Sequence, residues 1–335
     1  YSAYHFASAQ SLSTLSSQAP SFVDSSIHGP IDETNQIHLS DLMRFFESPS
    51  KYFLVNRMGM RLWEEVGPPA DNEPLTLGNL EKYGLKNKLL GIELDDEKHN
   101  DLFAIAQAEG SLPPGNLGKV WFNETNREIK DFINRWGSFF EGKKDKPLEI
   151  DLLIDGVRLS GQLDNLINNR QVLYRCGKTR SKDRLGAWVR HLVACADDRI
   201  EDLQTSFFSL DKANKFVLFD SIPSEEALEI LKPLLSVYKS GKNSPIPFFV
   251  SSSFAYQKEI SKAAAPEASE FLERALAKAR NEWMPADFNH AGPKESELPE
   301  NRICFHQSPL HLPEFAALAS LVFSPLLRFE KEGKP

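Results

Sequence analysis

A carboxylate at Asp164 follows Gly161-Gln162-Leu163, and Tyr174-Arg175-Cys176 follows a short way on. Cutting a phosphodiester with Mg²⁺ takes two carboxylates on neighbouring strands, because the ion wants hard oxygen ligands. It also takes a Lys beside them to activate water or stabilise developing charge. Only the first of these parts is present. Tyr174 cannot supply a carboxylate, and the Cys176 thiol is too soft a ligand for Mg²⁺. An active site would have to work with Asp164 and a displaced Lys178, and one Asp makes a poor divalent-metal site. Lys178, Arg180, Lys182 and Arg184 then place four positive charges within seven residues. They are candidates for contact with a phosphate backbone, or simply a solvated loop.

The elements that must position these residues are legible around them. Val157, Leu159, Leu163 and Val172 mark a period of two, which predicts strands. Asp155-Gly156 suits a two-residue hairpin turn, where both residues need positive φ. Asn168-Asn169 suits a second turn. Three antiparallel strands are the simplest reading. Asp183 is a plausible N-cap for a following helix, with Leu185, Trp188, Val189 and Leu192 on one face. Nucleases of the PD-(D/E)xK type carry a Gly-x-x-Asp element on one strand and an acid-x-Lys at the end of the next. Asp164 fits the first, and Tyr174 and Cys176 stand where the second would be. An ordinary hairpin that never held a site carries the same local pattern.

Helices are expected on both sides of this stretch. Ser40 can cap a helix with Leu42, Phe45 and Phe46 on one face, and Pro49 ends it or starts the next. Phe45, Phe46, Tyr52 and Phe53 are expected in the core. Further helices are predicted over Thr76–Leu90, Asp95–Ala108 and from Gly118 to Phe140. Gly110 to Gly118 reads as a rigid turn, and Lys143-Lys144-Asp145-Lys146 as a charged loop. Beyond the centre, Thr205–Leu210 and Lys215–Phe219 predict a hairpin over Asp211–Asn214. A helix follows through Tyr238 with Ser224 as its cap. Pro245–Val250 reads as short and extended, Ala263–Arg280 as an exposed helix, Met284–Arg302 as irregular. Phe315–Phe329 reads as a last helix kinked at Pro325.

The chain has 335 residues, 41% of them hydrophobic and 26% charged, which indicates a folded globular protein with a sizeable core. Its net charge of −8 argues against a free-standing DNA-binding domain, so any DNA contact must be local or made within an assembly. Cys176, Cys195 and Cys304 are scattered and form no CxxC pair, which argues against a zinc site or a disulfide framework and fits a reducing compartment. No apolar run approaches the ~20 residues of a membrane span. The first residue is Tyr1 and the start is Ser-rich, which reads as a fragment or processed product without a signal peptide. There is no GxxxxGK[ST] loop and no HExxH pair, and no Ser is framed by a nucleophile turn.

Taken in order, these residues resemble a known family. Ile37 to Phe53 is similar to the opening of the nuclease-like domains of RecB, RecC and AddB proteins. Ser48 stands where the iron–sulphur members carry Cys, so no cluster is implied. Glu73-Pro74-Leu75, Leu80 to Leu85, Leu112-Pro113-Pro114-Gly115, Trp188 to Ala196 and Pro325 to Phe329 look like the C-terminal domain of the RecC family, the gamma subunits of exodeoxyribonuclease V. The resemblance implies an α/β (α+β), restriction-endonuclease-like core of the PD-(D/E)xK type with added helices and a degenerate site at Asp164, Tyr174 and Cys176. It implies a connecting segment over 1–36 and one nuclease-like domain over 37–335, with the central sheet at about 148–220 and helices over 224–329. The implied role is non-catalytic: a cytoplasmic scaffold and DNA-handling domain of RecBCD in double-strand break repair. RecB-like and RecD-like subunits, a duplex end and a single strand are its implied partners, with no membrane, no cofactor and no metal. Lys178, Arg180, Lys182 and Arg184 are the DNA-binding candidates. The alternatives are an active Mg²⁺ nuclease using Asp164 and Lys178, and a protein–protein scaffold that never meets DNA.

Overall fold

A computed structural model of the protein describes residues 22–23, 27, 35–62, 78–94, 102–142, 145–210, 215–263, 269–284 and 292–334. Among the described residues the first elements are β1 (Gln36–His38), α1 (Leu39–Glu47), α2 (Pro49–Tyr52) and a π-helical turn, Phe53–Arg57. Helices α3 (Asn79–Leu94), α4 (Leu102–Ala108) and α5 (Gly115–Trp136) follow. Next come β2 (Leu148–Ile154), β3 (Val157–Leu163), β4 (Leu166–Ile167), β5 (Arg170–Arg175), α6 (Ser181–Cys195), β6 (Gln204–Ser209) and β7 (Phe216–Phe219). The chain continues through α7 (Ser224–Asn243), α8 (Val250–Ile260), α9 (Ser269–Trp283), α10 (Pro299–Cys304), α11 (Pro313–Phe329) and β8 (Lys331–Gly333). This is an α+β architecture. It divides into a sheet unit, Thr34–Phe46 with Trp63–Ser236 and Leu321–Pro335, and a helical unit, Tyr1–Glu33 with Glu47–Leu62 and Val237–Ser320. Among the described residues no helix is long and apolar enough to cross a membrane.

Among the described residues the sheet unit holds two sheets, ordered β1-β3-β2 and β4-β5-β6-β7-β8. Both expected turns form: Asp155 and Gly156 have φ of 46° and 75°, and Asn168 and Asn169 have φ of 50° and 58°. The expected three-stranded antiparallel sheet does not. β2 and β3 pair antiparallel from Ile154↔Val157 to Leu148↔Leu163, and β1 adds to β3 in parallel. After Leu163 the chain turns at Asn165, φ 60°, and β4 and β5 join the second sheet. Period-two patterning shows which residues share a face, but not which sheet a strand enters. β5 then runs parallel to β6, a pairing that needs a crossover, and α6 supplies it. The expected hairpin strands form as β6 and β7.

One apolar cluster of this unit gathers Leu85, Leu89 and Leu90 of α3, Ile129, Phe132 and Trp136 of α5, and Val172, Phe208 and Phe216 of the sheet. The Trp136 ring lies 5.2 Å from that of Phe208 and 5.4 Å from that of Phe216. The predicted face of α6 is buried at Leu185, Trp188, Val189 and Leu192. Phe45 and Phe46 are buried as expected. α6 starts at Ser181, so Asp183 is its third residue, not its cap. From there its carboxylate accepts the Arg180 N–H at 2.8 Å, satisfying an orphan donor at the helix start. Ser224 likewise is the first residue of its helix, not the cap before it, and its hydroxyl donates to the Ala196 carbonyl.

In the helical unit Tyr52 and Phe53 are buried as expected, and the Tyr52 and Tyr238 hydroxyls lie 2.6 Å apart. Pro49 starts α2, with Ser48 accepting the Lys51 N–H. The expected exposed Ala-rich helix, α9, instead buries Ala275, Ala279 and Trp283 against Phe249, Tyr256 and Phe315. The expected irregular stretch contains α10. α8 carries no clear apolar period, and a distant carboxylate steadies its start. Glu295 accepts the Ser251 N–H at 2.8 Å, the Ser252 N–H at 2.9 Å and the Ser252 hydroxyl at 2.6 Å. α11 runs through Pro325 without a break. Thr76–Leu77, Asp95–Asp101, Lys143–Lys144, Asp211–Asn214, Glu73-Pro74-Leu75 and most of 1–36 lie outside the described residues.

Candidate functional site

Asp164 sits just past the end of β3, in the link to the second sheet. Its backbone is fixed beside β5: the Asp164 carbonyl accepts from Gln171 Nε2 at 3.3 Å, and the Asn165 carbonyl accepts the Val172 N–H at 2.9 Å. The Asp164 residue itself is exposed. Gly161, three residues earlier, has a packing reason. A Cβ there would lie 2.7 Å from Leu39 Cβ, so only Gly lets the start of α1 approach β3. The Gly-x-x-Asp pattern thus combines a packing residue with a solvent-facing acid.

Tyr174 and Cys176 point elsewhere. Alternate residues of a strand share a face, so Val172, Tyr174 and Cys176 line one side of β5 and its continuation. That side is filled by the apolar cluster, in which Cys176 is 3% exposed and Tyr174 packs 5.9 Å from the Phe140 ring. Burial pushes the Cys176 thiol up to about 12, against the pull of Lys86 and Arg175. It is a neutral thiol at physiological pH, neither nucleophile nor thiolate ligand. The face on which a nuclease would need an acid and a Lys open to substrate therefore carries a buried Cys176 and a half-buried Tyr174 packed on apolar side chains, while Asp164 is exposed. Among the described residues no three His, Cys, Asp or Glu side chains group as metal ligands.

The basic run lies at the turn from β5 into α6. Lys178 and Arg180 are exposed, and Lys182 is half-buried. Arg184 pairs with Glu330, so much of its charge is already answered within the unit. Sequence reasoning missed Arg175. Its guanidinium bonds Asp183 at 3.2 Å and lies 5.2 Å over the Tyr83 ring. Asp183 thus serves the helix start and Arg175 together. No local pattern announces such a pair, because a strand end and a helix start meet only after the fold forms. Lys86 of α3, paired with Glu128 of α5, was missed for the same reason.

The model of the RecC C-terminal domain family matches residues 34–261. The chain belongs to the RecC C-terminal domain family. That match covers β1 through α8, including both sheets except β8. Curated relatives described as RecBCD enzyme subunit RecC are similar to the chain over most of its length. The one from Buchnera aphidicola of Schizaphis graminum is 22% identical over 311 residues, covering 90% of this chain and 28% of the relative. The one from Escherichia coli K12 is 25% identical over 257 residues, covering 77% and 22%. The one from Mycobacterium tuberculosis H37Rv is 25% identical over 236 residues, covering 68% and 21%. The chain therefore spans between a fifth and three tenths of the length of these relatives.

Proposed function

We infer that this RecC-family domain is a non-catalytic scaffold and DNA-handling part of a RecBCD-type helicase–nuclease, built on a restriction-endonuclease-like core whose site has decayed. One observation carries the reading. The face of β5 that would have to present an acid and a Lys carries Cys176 inside an apolar cluster and a half-buried Tyr174 packed against it. Filling a cleft with core side chains stabilises the fold and removes the room that metal and substrate need. The order of β3, Asp164, β5, crossover helix and parallel β6 supports the nuclease-like ancestry. The relatives' description as RecBCD subunits supports partners of the RecB and RecD kind. Residues 1–36 then act as the connection and 37–335 as the domain proper, working in the cytoplasm. The exposed cations Lys178 and Arg180, with Lys182, form a basic rim toward a duplex end, and Arg184 contributes less because of Glu330.

The test has two arms. The domain is incubated with linear single- and double-stranded DNA in Mg²⁺ or Mn²⁺. No cleavage is expected, and cleavage abolished by Asp164→Ala would establish the active-nuclease alternative. In the second arm Lys178→Gln/Arg180→Gln is placed in a complex assembled with RecB-like and RecD-like subunits. Duplex-end binding should weaken, with a salt dependence shallower by about 1.8, from two phosphates at ~0.9 each. Assembly should be spared, since exposed charges add little to stability. Unchanged affinity and slope would favour a scaffold without DNA contact here, which the net charge of −8 also favours.

A further inference from the structure

The second sheet ends on an edge strand that is held mainly by charge. β8 is three residues long and pairs antiparallel with β7 as Phe216↔Gly333, Val217↔Glu332 and Leu218↔Lys331. Just before it, Phe329 stacks on Trp188 at 5.6 Å and Glu330 pairs with Arg184, so the chain is anchored up to that point. Beyond it the side-chain anchors are ion pairs. Lys331 Nζ donates to Asp220 Oδ2 at 2.7 Å, and Lys215 Nζ donates to Glu332 Oε2 at 2.7 Å. Lys331 and Glu332 expose 63% and 64% of their side chains, and of the three residues only Gly333 is buried. A strand that buries no side chain gains almost nothing from the hydrophobic effect. Exposed ion pairs contribute little and are screened by salt. β8 should therefore open far more easily than the sheet it borders.

The strand beneath it is different in kind. β7 reads Phe216-Val217-Leu218-Phe219, with its other edge bonded to β6. Phe216 is 7% exposed, and its ring sits 5.4 Å from that of Trp136, 5.1 Å from Phe139 and 4.7 Å from Phe208. The Phe216 ring lies across position 333. A Cβ there would stand 2.1 Å from Phe216 Cζ and 2.4 Å from each Cε. Hemmed in by three aromatic rings, Phe216 cannot swing aside, so only glycine lets a backbone pass beneath it. The β7 edge thus selects what pairs with it: glycine against Phe216, an acid toward Lys215 and a base toward Asp220.

A permanent cover would carry apolar side chains over a longer strand, natural strands averaging about 5–6 residues. Lys331-Glu332-Gly333 instead combines a demanding fit at one residue with weak attachment at two, as an exchangeable occupant requires. An uncovered apolar edge would pair with any passing strand, so something must guard it. We propose that β8 is a releasable strap over a strand-docking site on β7. The site takes an extended Lys-Glu-Gly segment by edge addition, main-chain bonds giving affinity and the Phe216 ring giving specificity. β8 is the segment that the chain itself supplies, and it competes with one from outside. The proposal calls on no nucleic acid and on neither Lys178 nor Arg180, so it stands or falls apart from the reading above.

Hydrogen exchange of the 335-residue chain, followed by mass spectrometry, tests the release. Raising salt from about 0.1 M to about 1 M shortens the Debye length from ~10 to ~3 Å. Exchange in β8 should then rise about tenfold, while that in β5 does not change. Glu332→Lys should raise it at low salt, and adding Lys215→Glu should restore the parent's rate. A labelled synthetic peptide of residues 328–334 tests the docking. It should bind the Gly333→Val chain at least about tenfold more tightly than the parent, whose tethered strap competes at millimolar effective concentration. The Gly333→Val form of the peptide should bind neither chain. Lys331→Gln/Glu332→Gln adds no bulk beneath Phe216 and should also admit the peptide, so it carries the test if Gly333→Val lowers the melting temperature. The proposal is overturned if β8 and β5 exchange together at both salt concentrations. It is also overturned if the peptide binds the parent and both variants alike, or binds none of them.

Discussion

His191 should make the sheet unit sensitive to acid. Its ring is fully buried on α6, stacked with Trp188 at 5.7 Å and Phe219 at 5.5 Å. Nε2 lies 3.0 Å from the Asp220 carbonyl and Nδ1 lies 3.0 Å from the Thr205 hydroxyl. A carbonyl only accepts, so Nε2 carries the proton and Nδ1 accepts from Thr205. That neutral tautomer satisfies both nitrogens, and a second proton would leave Nδ1 facing a hydroxyl it now holds as donor. Burial therefore pushes the His191 pKa down to about 4, although the Asp220 carbonyl and carboxylate pull the other way. The unfolded chain takes its proton near 6.5, so between those values the unfolded state binds more protons. Stability is at its plateau above about pH 6.5 and falls as pH drops toward 4. From pH 7.5 to 4.5 the loss from this residue alone comes to about 2.5 kcal/mol, at ~1.36 kcal/mol per unit of pKa difference. Carboxylates titrate over the same range, so the parent must be compared with His191→Gln. The variant removes the titration and leaves some buried groups unpaired, costing about 1–3 kcal/mol at neutral pH. Denaturant unfolding at both pH values, followed by tryptophan fluorescence, gives the gap between the two proteins. It should shrink by about 2.5 kcal/mol on acidification. A gap that stays constant from pH 7.5 to 4.5 would refute the reasoning.

Two further perturbations test the packing. Phe46→Ala removes a ring that is 1% exposed and lies 5.1 Å from that of Phe45; it should cost about 3–5 kcal/mol and lower the melting temperature clearly. Unchanged melting with weakened single-strand binding would instead make the ring a stacking platform. Cys176, its thiol pushed up to about 12 by burial, should resist a thiol reagent at pH 8 until denaturant is added. Mass spectrometry that finds Cys176 labelled at the rate of a free thiol would show that the β5 face is open.

Much of the fold could be read from short-range pattern. The turns at Asp155-Gly156 and Asn168-Asn169 were legible because the left-handed region favours few residue types. The α6 face was legible because Leu185, Trp188, Val189 and Leu192 repeat with the helix. The sheet assignment was not, because β3 and β5 have the period of any half-buried strand. What separates them is the bend at Asn165, which a single polar residue does not announce. α9 was misjudged for a similar reason. Alanines at 275 and 279 look neutral in sequence, yet they let α8 come close, and closeness is a property of two helices together.

The candidate site shows the same division between residue type and residue placement. The sequence shows that Tyr174 and Cys176 cannot bind Mg²⁺, but it does not show which way they face. Missing ligands alone leave an open cleft that one or two substitutions could refurnish. A filled face does not. Tyr174 packs near Phe140 and Cys176 lies in the same cluster as Phe208 and Trp136, so a Lys at position 176 would enter apolar surroundings beside Lys86 and Arg175. Burying that charge would be costly, and the positive charges of Lys86 and Arg175 would repel it. Tyr174→Glu with Cys176→Lys should therefore unfold the region. Asp164, by contrast, is exposed and lies outside the cluster, so Asp164→Ala should keep the stability, read by thermal melting, within about 0.5 kcal/mol of the parent's.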